Sequence, residues 1–198
     1  MCSIVCSKKI IDICLNENGF YEPHITNPEK CTNCGLCFDV CSFSHKDYAL
    51  KKNEIKSYAA WSKDDIIRNK CSSGGIGFEL ARTLLKEGFK ICGVQYSPEK
   101  KRAEHYIATT EQELMASIGS KYIQSYTVDG FKAINKKDKY LVTGTPCQID
   151  SFRRYIQQRH IESHFILIDF FCHGIPSKLM WDKYILQAEK EVGKILHV

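Results

Sequence analysis

The chain lacks three features that would place it in a membrane, in an export pathway or on nucleic acid. None of its apolar runs approaches the roughly 20 residues that a membrane-spanning helix needs. Its first residues, Met1–Cys6, have neither the basic region nor the long apolar region of an export signal. Its basic residues form short runs such as Lys100–Arg102, without interleaved aromatic residues or a nucleic-acid-binding motif. We therefore expect a cytoplasmic protein with no membrane span and no nucleic-acid partner.

Cysteine, in contrast, is abundant. The 198 residues include 11 cysteines, and the hydrophobic share of 43% with a charged share of 26% is typical of a globular protein. In a reducing compartment these thiols are available for metal binding and redox chemistry instead of disulfides. The net charge of +5 is modest. It is compatible with solvated basic loops and with electrostatic attraction of acidic redox partners.

Four of the cysteines have the spacing of a bacterial ferredoxin. Cys31, Cys34, Cys37 and Cys41 form C-x2-C-x2-C-x3-C, the arrangement that binds a [4Fe–4S] cluster. The first three thiolates bind one cluster, while the fourth cysteine of such a motif ligates the other cluster in two-cluster ferredoxins. A zinc knuckle is the alternative, but zinc sites favour two well-separated cysteine pairs. The spacing therefore predicts an iron–sulfur site.

An internal repeat extends this prediction. Residues 2–7 and 37–42 both read C-x-x-V-C-S, but only the second copy is preceded by two further cysteines. We therefore expect the chain to begin inside the first half of a two-cluster module that spans residues 1–48. Cross-ligation predicts a complete ligand set of Cys6, Cys31, Cys34 and Cys37. It also predicts an incomplete set of Cys2 and Cys41, which would need ligands from outside the chain.

Residues 54–198 alternate short apolar runs with helical patterns, which is typical of an α/β domain. Strands are predicted near 57–61, 89–96, 104–109, 140–143 and 165–171, and helices near 72–87, 111–117, 146–158 and 177–191. The predicted fold class is α+β, with a small ferredoxin-like module followed by an α/β domain that has a mixed or parallel sheet.

Three glycine-containing turns lead into the predicted helices. They contain Ser72–Gly75, Gly144–Pro146 and Cys172–Gly174. Ligands of open α/β sheets bind beyond the carboxyl ends of the strands, and helix N-termini attract phosphate groups. Together the turns indicate a site for a phosphorylated cofactor.

The motifs, taken in order, resemble a known family. The ferredoxin halves are followed by SSGG at 72–75, GSKYIQS at 119–125, GTPCQ at 144–148 and DFFCHGIPS at 169–177, with Trp181 and Tyr184 after them. This order resembles the coenzyme F420 (deazaflavin) hydrogenase/dehydrogenase beta-subunit family, to which chlorophyll-cycle reductases also belong. The resemblance covers nearly the whole chain. Because family members continue well past the last helix predicted here, we expect the flavin-binding domain to be incomplete at its C-terminal side.

The resemblance implies FAD together with [4Fe–4S] clusters. It also implies electron transfer between a one-electron carrier, such as a ferredoxin or a partner subunit, and an unidentified small-molecule substrate that takes two electrons. The expected function is therefore that of an iron–sulfur flavoprotein oxidoreductase. Two alternatives stay open: a non-catalytic electron-transfer module, and a truncated or zinc-stabilised remnant.

Individual residues receive roles on this basis. The candidate cofactor-binding residues are Ser72, Ser73, Gly74, Gly75, Ser120, Lys121, Gly144, Thr145 and Gln148. His173 is the candidate proton-transfer residue, because histidine titrates near neutral pH, although it could equally bond a backbone carbonyl. Cys147 lies at a predicted helix start, where the helix dipole favours a thiolate. It is a candidate redox thiol facing the flavin, a cluster ligand or a packed small residue. Lys121 either pairs with a cofactor phosphate or lies on the surface.

Overall fold

The cysteine repeat folds into two short helices on either side of a β-hairpin. In the computed structural model, which describes residues 1–45 and 56–195, α1 spans Cys2–Val5 and α2 spans Leu36–Asp39. Between them, β1 (Ile11–Leu15) pairs antiparallel with β2 (Tyr21–Ile25). The valine of the repeat is buried in both copies, at Val5 and Val40, and α1 packs against α2. The sequence repeat is therefore also a structural repeat.

The remaining elements form the α/β domain. In chain order they are α3 (Asp65–Lys70), α4 (Ile76–Lys86), β3 (Lys90–Ser97), β4 (Arg102–Ala108), α5 (Glu111–Leu114), α6 (Val128–Lys132), β5 (Tyr140–Gly144), α7 (Pro146–Gln158), β6 (Phe165–Asp169) and α8 (Lys178–Val192). Four strands form one sheet in the order β4-β3-β5-β6. Strand β3 is parallel to β5 and β5 to β6, whereas β4 is antiparallel to β3. The prediction of an α+β fold with a mixed sheet is confirmed.

The sheet is buried on both faces. Consecutive strand residues point to opposite sides, so two neighbouring apolar residues supply side chains to two different cores. Ile91 and Leu141 contribute to one hydrophobic core, whereas their neighbours Cys92 and Val142 contribute to the other. The first core also contains Ile67, Phe78, Ala81, Ala108 and Leu114, which come from α3, α4, β4 and α5. The second contains Phe131, Tyr140, Ile149, Phe152 and Ile156, which come mainly from α6 and α7. The parallel strands β5 (YLVTG) and β6 (FILID) accordingly read as apolar runs in the sequence.

The N-terminal module contacts this domain at α7 and α8. Met1 and Ile4 pack against the second core, and the Ser42 N–H donates to Ser151 Oγ in α7 at 3.1 Å. At the hairpin turn, Gly19 O accepts from the Lys178 N–H at 2.8 Å, at the start of α8. The turn approaches so closely that a Cβ on Gly19 would lie 2.7 Å from Leu179. A glycine is required there for this reason and for its left-handed φ of +79°.

Some local predictions were wrong. Residues 57–61 were predicted as a strand, yet they have no regular secondary structure and are exposed. Tyr58 and Trp61 have high strand propensity, but none of the strands in the described residues pairs with this segment, which instead packs against Gly74. The strand predicted to reach residue 171 ends at Asp169, because Phe170 and Phe171 are exposed. The predicted linker at 46–53 and the boundary at residue 48 lie outside the described residues. Within the described ranges, no helix is both long and apolar enough to cross a membrane.

The packing of α6 on β4 generates a paired test. A Cβ on Gly130 in α6 would lie 2.6 Å from the backbone carbonyl and Cβ of His105, so Gly130→Ala must displace one of the two elements. We expect the free energy of unfolding to fall by about 1–3 kcal/mol. The control is Gly77→Ala in α4, where nothing lies within 4 Å of the added carbon. It should gain about 0.5–1 kcal/mol. Urea denaturation measures both, and equal midpoints for the two variants would contradict the packing.

Candidate functional site

The motif cysteines lie on and around α2: Cys31 and Cys34 on the loop that precedes it, Cys37 in its first turn and Cys41 just after its end. Cys31 and Cys34 are exposed and Cys37 is half-buried. Between them, Asn33 (φ +53°) and Gly35 (φ +77°) both adopt the left-handed conformation, which lets the loop turn tightly within a few residues. The spacing of glycine and asparagine between the cysteines therefore has a geometric reason. Three thiols of the predicted set thus lie within one short segment, on the loop and in the first turn of α2.

The thiols of the module differ in their electrostatic surroundings. Burial raises the pKa of Cys37, and the nearby thiols of Cys2 and Cys34 raise it further. The Cys6 thiol instead accepts hydrogen bonds from backbone amides, first that of Ile10 and then those of Lys8 and Lys9, and these lower its pKa. Amide donors around a sulfur stabilise the thiolate that ligates metal. The amides around Cys6 therefore favour its thiolate, and its role as a ligand stays a prediction, while Cys2 is the thiol of α1 that interacts with Cys37.

The second predicted set is also partly assembled. The amino group of Met1 is buried, which lowers its pKa, and the thiols of Cys2 and Cys41 lie close enough to oppose that shift. Cys2 therefore interacts with residues of both predicted sets. Among residues 1–45 and 56–195, no group of three or more His, Cys, Asp or Glu side chains is arranged closely enough to hold a metal ion. The donor type and spacing fit an iron–sulfur cluster, and the assignment of each ligand stays a prediction.

The predicted cofactor-binding turns are joined by hydrogen bonds and strand pairing. The Ser120 N–H donates to Ser72 Oγ at 2.8 Å, which joins the GSKYIQS segment to the SSGG turn. Gln148 Nε2 donates to Ser125 Oγ at 2.9 Å, which joins the same segment to the start of α7. Gly144 at the end of β5 pairs with Asp169 at the end of β6, where the DFFCHGIPS segment begins. The four motifs therefore form one continuous rim at the carboxyl ends of the parallel strands.

The rim turn at 72–75 is held by a polar network that the sequence did not indicate. The Ser62 N–H donates to Gly74 O at 2.7 Å, and Ser62 Oγ donates to Glu79 Oε1 at 2.5 Å. Arg82 pairs with Glu79 at 2.7 Å, and with Asp64 and Glu111 at 3.5 Å each. The hydrogen bond from Ser62, followed by those from Arg82, lowers the pKa of Glu79. The start of α4 is thereby fixed against the segment that precedes α3.

Lys121 is more constrained than its predicted role requires. Its ammonium group donates to the carbonyls of Ala116, Ile118 and Gly119 at 3.2, 2.9 and 3.0 Å. Burial lowers its pKa to about 8. The three carbonyls provide an acceptor for each of its three protons, so the side chain stabilises the turn formed by residues 116–121. Contact with a cofactor phosphate requires at least one of these bonds to be replaced, and that role stays a prediction.

The start of α7 uses its polar side chains internally as well. Gln148 Oε1 accepts from the Thr145 N–H at 3.0 Å, while the amide group of the same side chain donates to Ser125. Thr145 Oγ1 lies 3.2 Å from the Cys147 sulfur. Pro146 occupies the first turn, as predicted for a residue whose missing N–H is not needed there. Gln148 therefore shapes the turn, and the redox role of Cys147 stays a prediction.

The DFFCHGIPS segment is open to solvent. His173 and Cys172 are exposed, and Phe171 is 98% exposed. Gly174 has a left-handed φ of +99°, so the chain turns there before α8 begins. The segment therefore joins the rim at its first residue, Asp169, and the residues that follow are open to solvent. The proton-transfer role of His173 stays a prediction.

His105 is a buried residue to which the sequence assigned no function. Its Nε2 lies 3.1 Å from Thr143 O, at the end of β5, and its ring packs edge-on against Phe131. Its Nδ1 is buried without a hydrogen-bond partner in the described structure. Burial, partly offset by the Thr143 carbonyl, lowers the pKa of His105 to about 4. His105 is therefore neutral and stabilises the end of β5, which leads into the rim. The sequence did not indicate this role, because a single histidine in a strand has no local pattern that identifies its partner.

Comparison with known proteins agrees with this arrangement. Residues 57–132 match the N-terminal part, and residues 137–198 the C-terminal part, of the family described as coenzyme F420 hydrogenase/dehydrogenase, beta subunit. Residues 24–43 match a 4Fe-4S binding domain. No curated protein sequence matches the chain significantly. A solved structure of the F420-reducing [NiFe] hydrogenase complex from Methanosarcina barkeri, in a xenon-derivatised form, contains a chain with the same fold.

The alignment to that hydrogenase chain has a TM-score of 0.51 at 23% identity. It covers 72% of this chain and 52% of that chain, so the protein spans about half the length of its structural relative. The class of protein is thus an iron–sulfur protein with a ferredoxin-type module on an α/β domain. The chain belongs to the coenzyme F420 hydrogenase/dehydrogenase beta-subunit family.

The burial of His105 predicts a pH dependence of stability. An unfolded chain binds a proton on this histidine as the pH falls through 6.5, whereas the folded chain does so only near pH 4. Stability is therefore fully present above pH 6.5 and decreases between these two values. We expect His105→Gln to flatten the dependence of the urea midpoint in that window, with lower stability at neutral pH. The exposed His24→Gln should keep the wild-type slope, and a wild-type slope in His105→Gln would contradict the assignment.

Cross-ligation predicts which cysteines the cluster requires. We expect Cys6→Ala to abolish binding of the complete cluster and Cys41→Ala to leave it in place, because Cys41 belongs to the other set. Iron and acid-labile sulfide after anaerobic reconstitution, together with visible absorption, measure cluster content. Cys14→Ala, an exposed cysteine of β1, is the control. Dependence on Cys41 without dependence on Cys6 would refute the interleaving, and loss only in Cys2→Ala would assign the fourth ligand to Cys2.

Proposed function

We propose that the protein is an iron–sulfur flavoprotein oxidoreductase. It passes electrons between a one-electron carrier and a small-molecule substrate that takes two electrons, through a [4Fe–4S] cluster and FAD. The observation that supports this most directly is the continuous rim, in which three hydrogen-bonded or paired contacts join four motifs beyond the parallel strands. Open α/β sheets bind their ligands at this edge.

The iron–sulfur part of the proposal rests on the loop of the module. Cys31, Cys34 and Cys37, with Cys6, would hold the cluster, which supplies one-electron transfer when bound. The exposure of Cys31 and Cys34 leaves this loop accessible to a carrier protein. The module exposes three lysines, Lys8, Lys9 and Lys30, and also five carboxylates, those of Asp12, Glu17, Glu22, Glu29 and Asp39. The accessibility of the cysteines, and not the charge of the module, is therefore the argument for a carrier protein such as a ferredoxin.

The flavin part rests on the rim residues and their fit to FAD. Helices α4 and α7 both begin at the rim, and their N-termini favour the pyrophosphate of a dinucleotide. Four exposed aromatic side chains from the rim motifs and the segment that packs on Gly74 offer flat apolar surfaces for a ring system: Trp61, Tyr122, Phe170 and Phe171. FAD, when bound, supplies the exchange between single-electron and two-electron steps.

The chain's own groups then have defined tasks. Ser72, Ser73, Gly74 and Gly75, with Ser120, Gly144 and Thr145, would surround the phosphates and the ring edge. His173 would deliver or accept the proton that accompanies a two-electron reduction, from an exposed segment next to Asp169. Gln148 would preserve the shape of the α7 turn through its bonds to Thr145 and Ser125.

One observation favours the second candidate function, a non-catalytic electron-transfer module. Lys121 and Gln148, two of the predicted cofactor-binding residues, use their polar groups on the protein itself. A rim that is complete without a ligand is compatible with a structural role. In that case the protein would pass single electrons to a separate catalytic subunit.

Anaerobic reconstitution separates these functions. The purified protein is supplied with iron, sulfide and FAD, freed of excess by gel filtration, and analysed for iron, acid-labile sulfide and flavin. We expect both a broad iron–sulfur absorption and flavin bands, with flavin reduced on addition of reduced ferredoxin. Cys31→Ala should lose the cluster and this reduction while it retains flavin.

Three results would contradict the proposal in different ways. Iron and sulfide without flavin would indicate the electron-transfer module. Zinc without acid-labile sulfide would indicate a zinc-stabilised protein. Flavin that reduced ferredoxin reduces equally well in Cys31→Ala would show that the cluster loop is not on the route.

A further inference from the structure

We infer that Gln124 is a positioning residue that fixes the N-terminal module, and with it the cluster ligands, relative to the rim at the start of α7. This inference rests on the proposed function for its consequence in electron transfer. Its structural basis is a set of contacts between the hairpin, residues 124–126 and α7. The family motif contains both Gln124 and Ser125; Ser125 bonds Gln148 in the site described above, whereas Gln124 has no role there.

The side chain of Gln124 pairs with the module as a strand would. The Tyr21 N–H donates to Gln124 Oε1 at 2.6 Å, and Gln124 Nε2 donates to Tyr21 O at 3.2 Å. Across the hairpin the Asn16 N–H donates to Phe20 O, so the next residue, Tyr21, directs its own amide and carbonyl away from β1. Gln124 therefore satisfies the first free backbone pair on the outer edge of β2.

The neighbouring side chain binds the other partner. Ser125 Oγ accepts from Gln148 Nε2 at 2.9 Å, and Gln148 Oε1 accepts from the Thr145 N–H at 3.0 Å. Two consecutive residues of one segment thus contact the module on one side and the start of α7 on the other. We call residues 124–125 the amide bridge.

The amide bridge lies on a rigid support. The next residue, Tyr126, is held against β4, because its N–H donates to Ala103 O at 2.8 Å and its carbonyl accepts from the His105 N–H at 2.9 Å. Its ring packs edge-on against Tyr21 at 5.2 Å, and the Arg102 guanidinium lies 4.1 Å from the ring centre on its face. If the hairpin moves relative to this support, the hydrogen bonds between Tyr21 and Gln124 and the ring contact between Tyr21 and Tyr126 must break together.

The hairpin transmits its position to the cysteines through short connections. β1 begins at Ile11, five residues after Cys6, and β2 ends at Ile25, six residues before Cys31. A displaced hairpin therefore displaces both parts of the predicted complete ligand set. The rate of electron transfer falls as the distance between donor and acceptor grows, so loss of the amide bridge should slow transfer without removing either group.

The test uses Gln124→Met, which keeps the length of the side chain and removes both hydrogen bonds. The matched control is Gln157→Met on α7, where the side chain is exposed. In protein loaded with the cluster alone, the reduced, paramagnetic cluster broadens nearby backbone amide signals. We expect the broadening of the Cys147 and Gln148 amides to change in Gln124→Met and to match the wild type in Gln157→Met, at equal cluster content.

The second measurement uses protein that also contains flavin. After photoreduction of the cluster, which then loses one electron to the flavin, the rate of flavin bleaching should fall severalfold in Gln124→Met. Gln124→Glu keeps the acceptor for the Tyr21 N–H, so its bleaching rate should lie between those of the wild type and Gln124→Met. If the methionine variant does not fold, the glutamate variant provides the test.

The two measurements distinguish failure of the proposed function from failure of the inference about Gln124. A wild type that holds no flavin would refute the proposed function, while the amide broadening would still decide the role of Gln124. Broadening and bleaching rates that are identical in Gln124→Met, Gln157→Met and wild type would overturn the inference.

Discussion

Three separate sets of contacts meet on α7, and most of the structure depends on that convergence. Its inner face buries Ile149, Phe152 and Ile156 against the sheet, which places the helix across β5 and β6. Its outer positions contact the N-terminal module through Ser151 and Gln158. Its first turn contributes Cys147 and Gln148 to the rim. A single helix, fixed by burial of apolar surface, therefore determines where the module and the rim lie relative to each other.

The polar residues of α7 add specificity to that packing. Asp150 is buried and pairs with Arg154 at 2.9 Å and with Arg153 at 3.5 Å on the same helix. Removing a carboxylate from water is costly unless its partners compensate, so this group has to be oriented with its arginines. The same reasoning holds at Glu79, which orients Ser62 and Arg82 around the turn at 72–75. Apolar burial places the helices, and compensated polar groups fix how the loops between them lie.

Local sequence patterns predicted the parts of the fold that local patterns control. Leu141 and Val142 lie in an apolar run that reads as a buried strand, and the cysteine intervals identified the module before any contact was known. The tyrosine and tryptophan at 58 and 61 have strand propensity, yet no strand in the part of the chain that the structure describes pairs with them, and the prediction was wrong. Gln124 and His105 acquire their roles from Tyr21 and Thr143, 103 and 38 residues away. No pattern within a short window contains such pairings, and the motif indicated only that the segment at 119–125 matters.

The order of contacts along α7 gives the distances along the helix between the N-terminal module and the rim. The α2 end of the cysteine loop lies at the C-terminal end of the helix, where Gln158 donates to Asp39 at 3.5 Å. The residue after Cys41 binds Ser151, in the middle of the helix. At about 1.5 Å per residue, Gln158 is roughly 16 Å along the axis from Cys147, whereas Ser151 is only about 6 Å from it. Along the helix axis, the contact beside Cys41 therefore lies nearer to the rim than the contact of α2 does, while the hairpin reaches the rim segment through Gln124. Under the proposed function, a carrier would meet the module near the C-terminal end of α7 and a substrate would meet the rim near its N-terminal end, so that the two would not compete for the same surface.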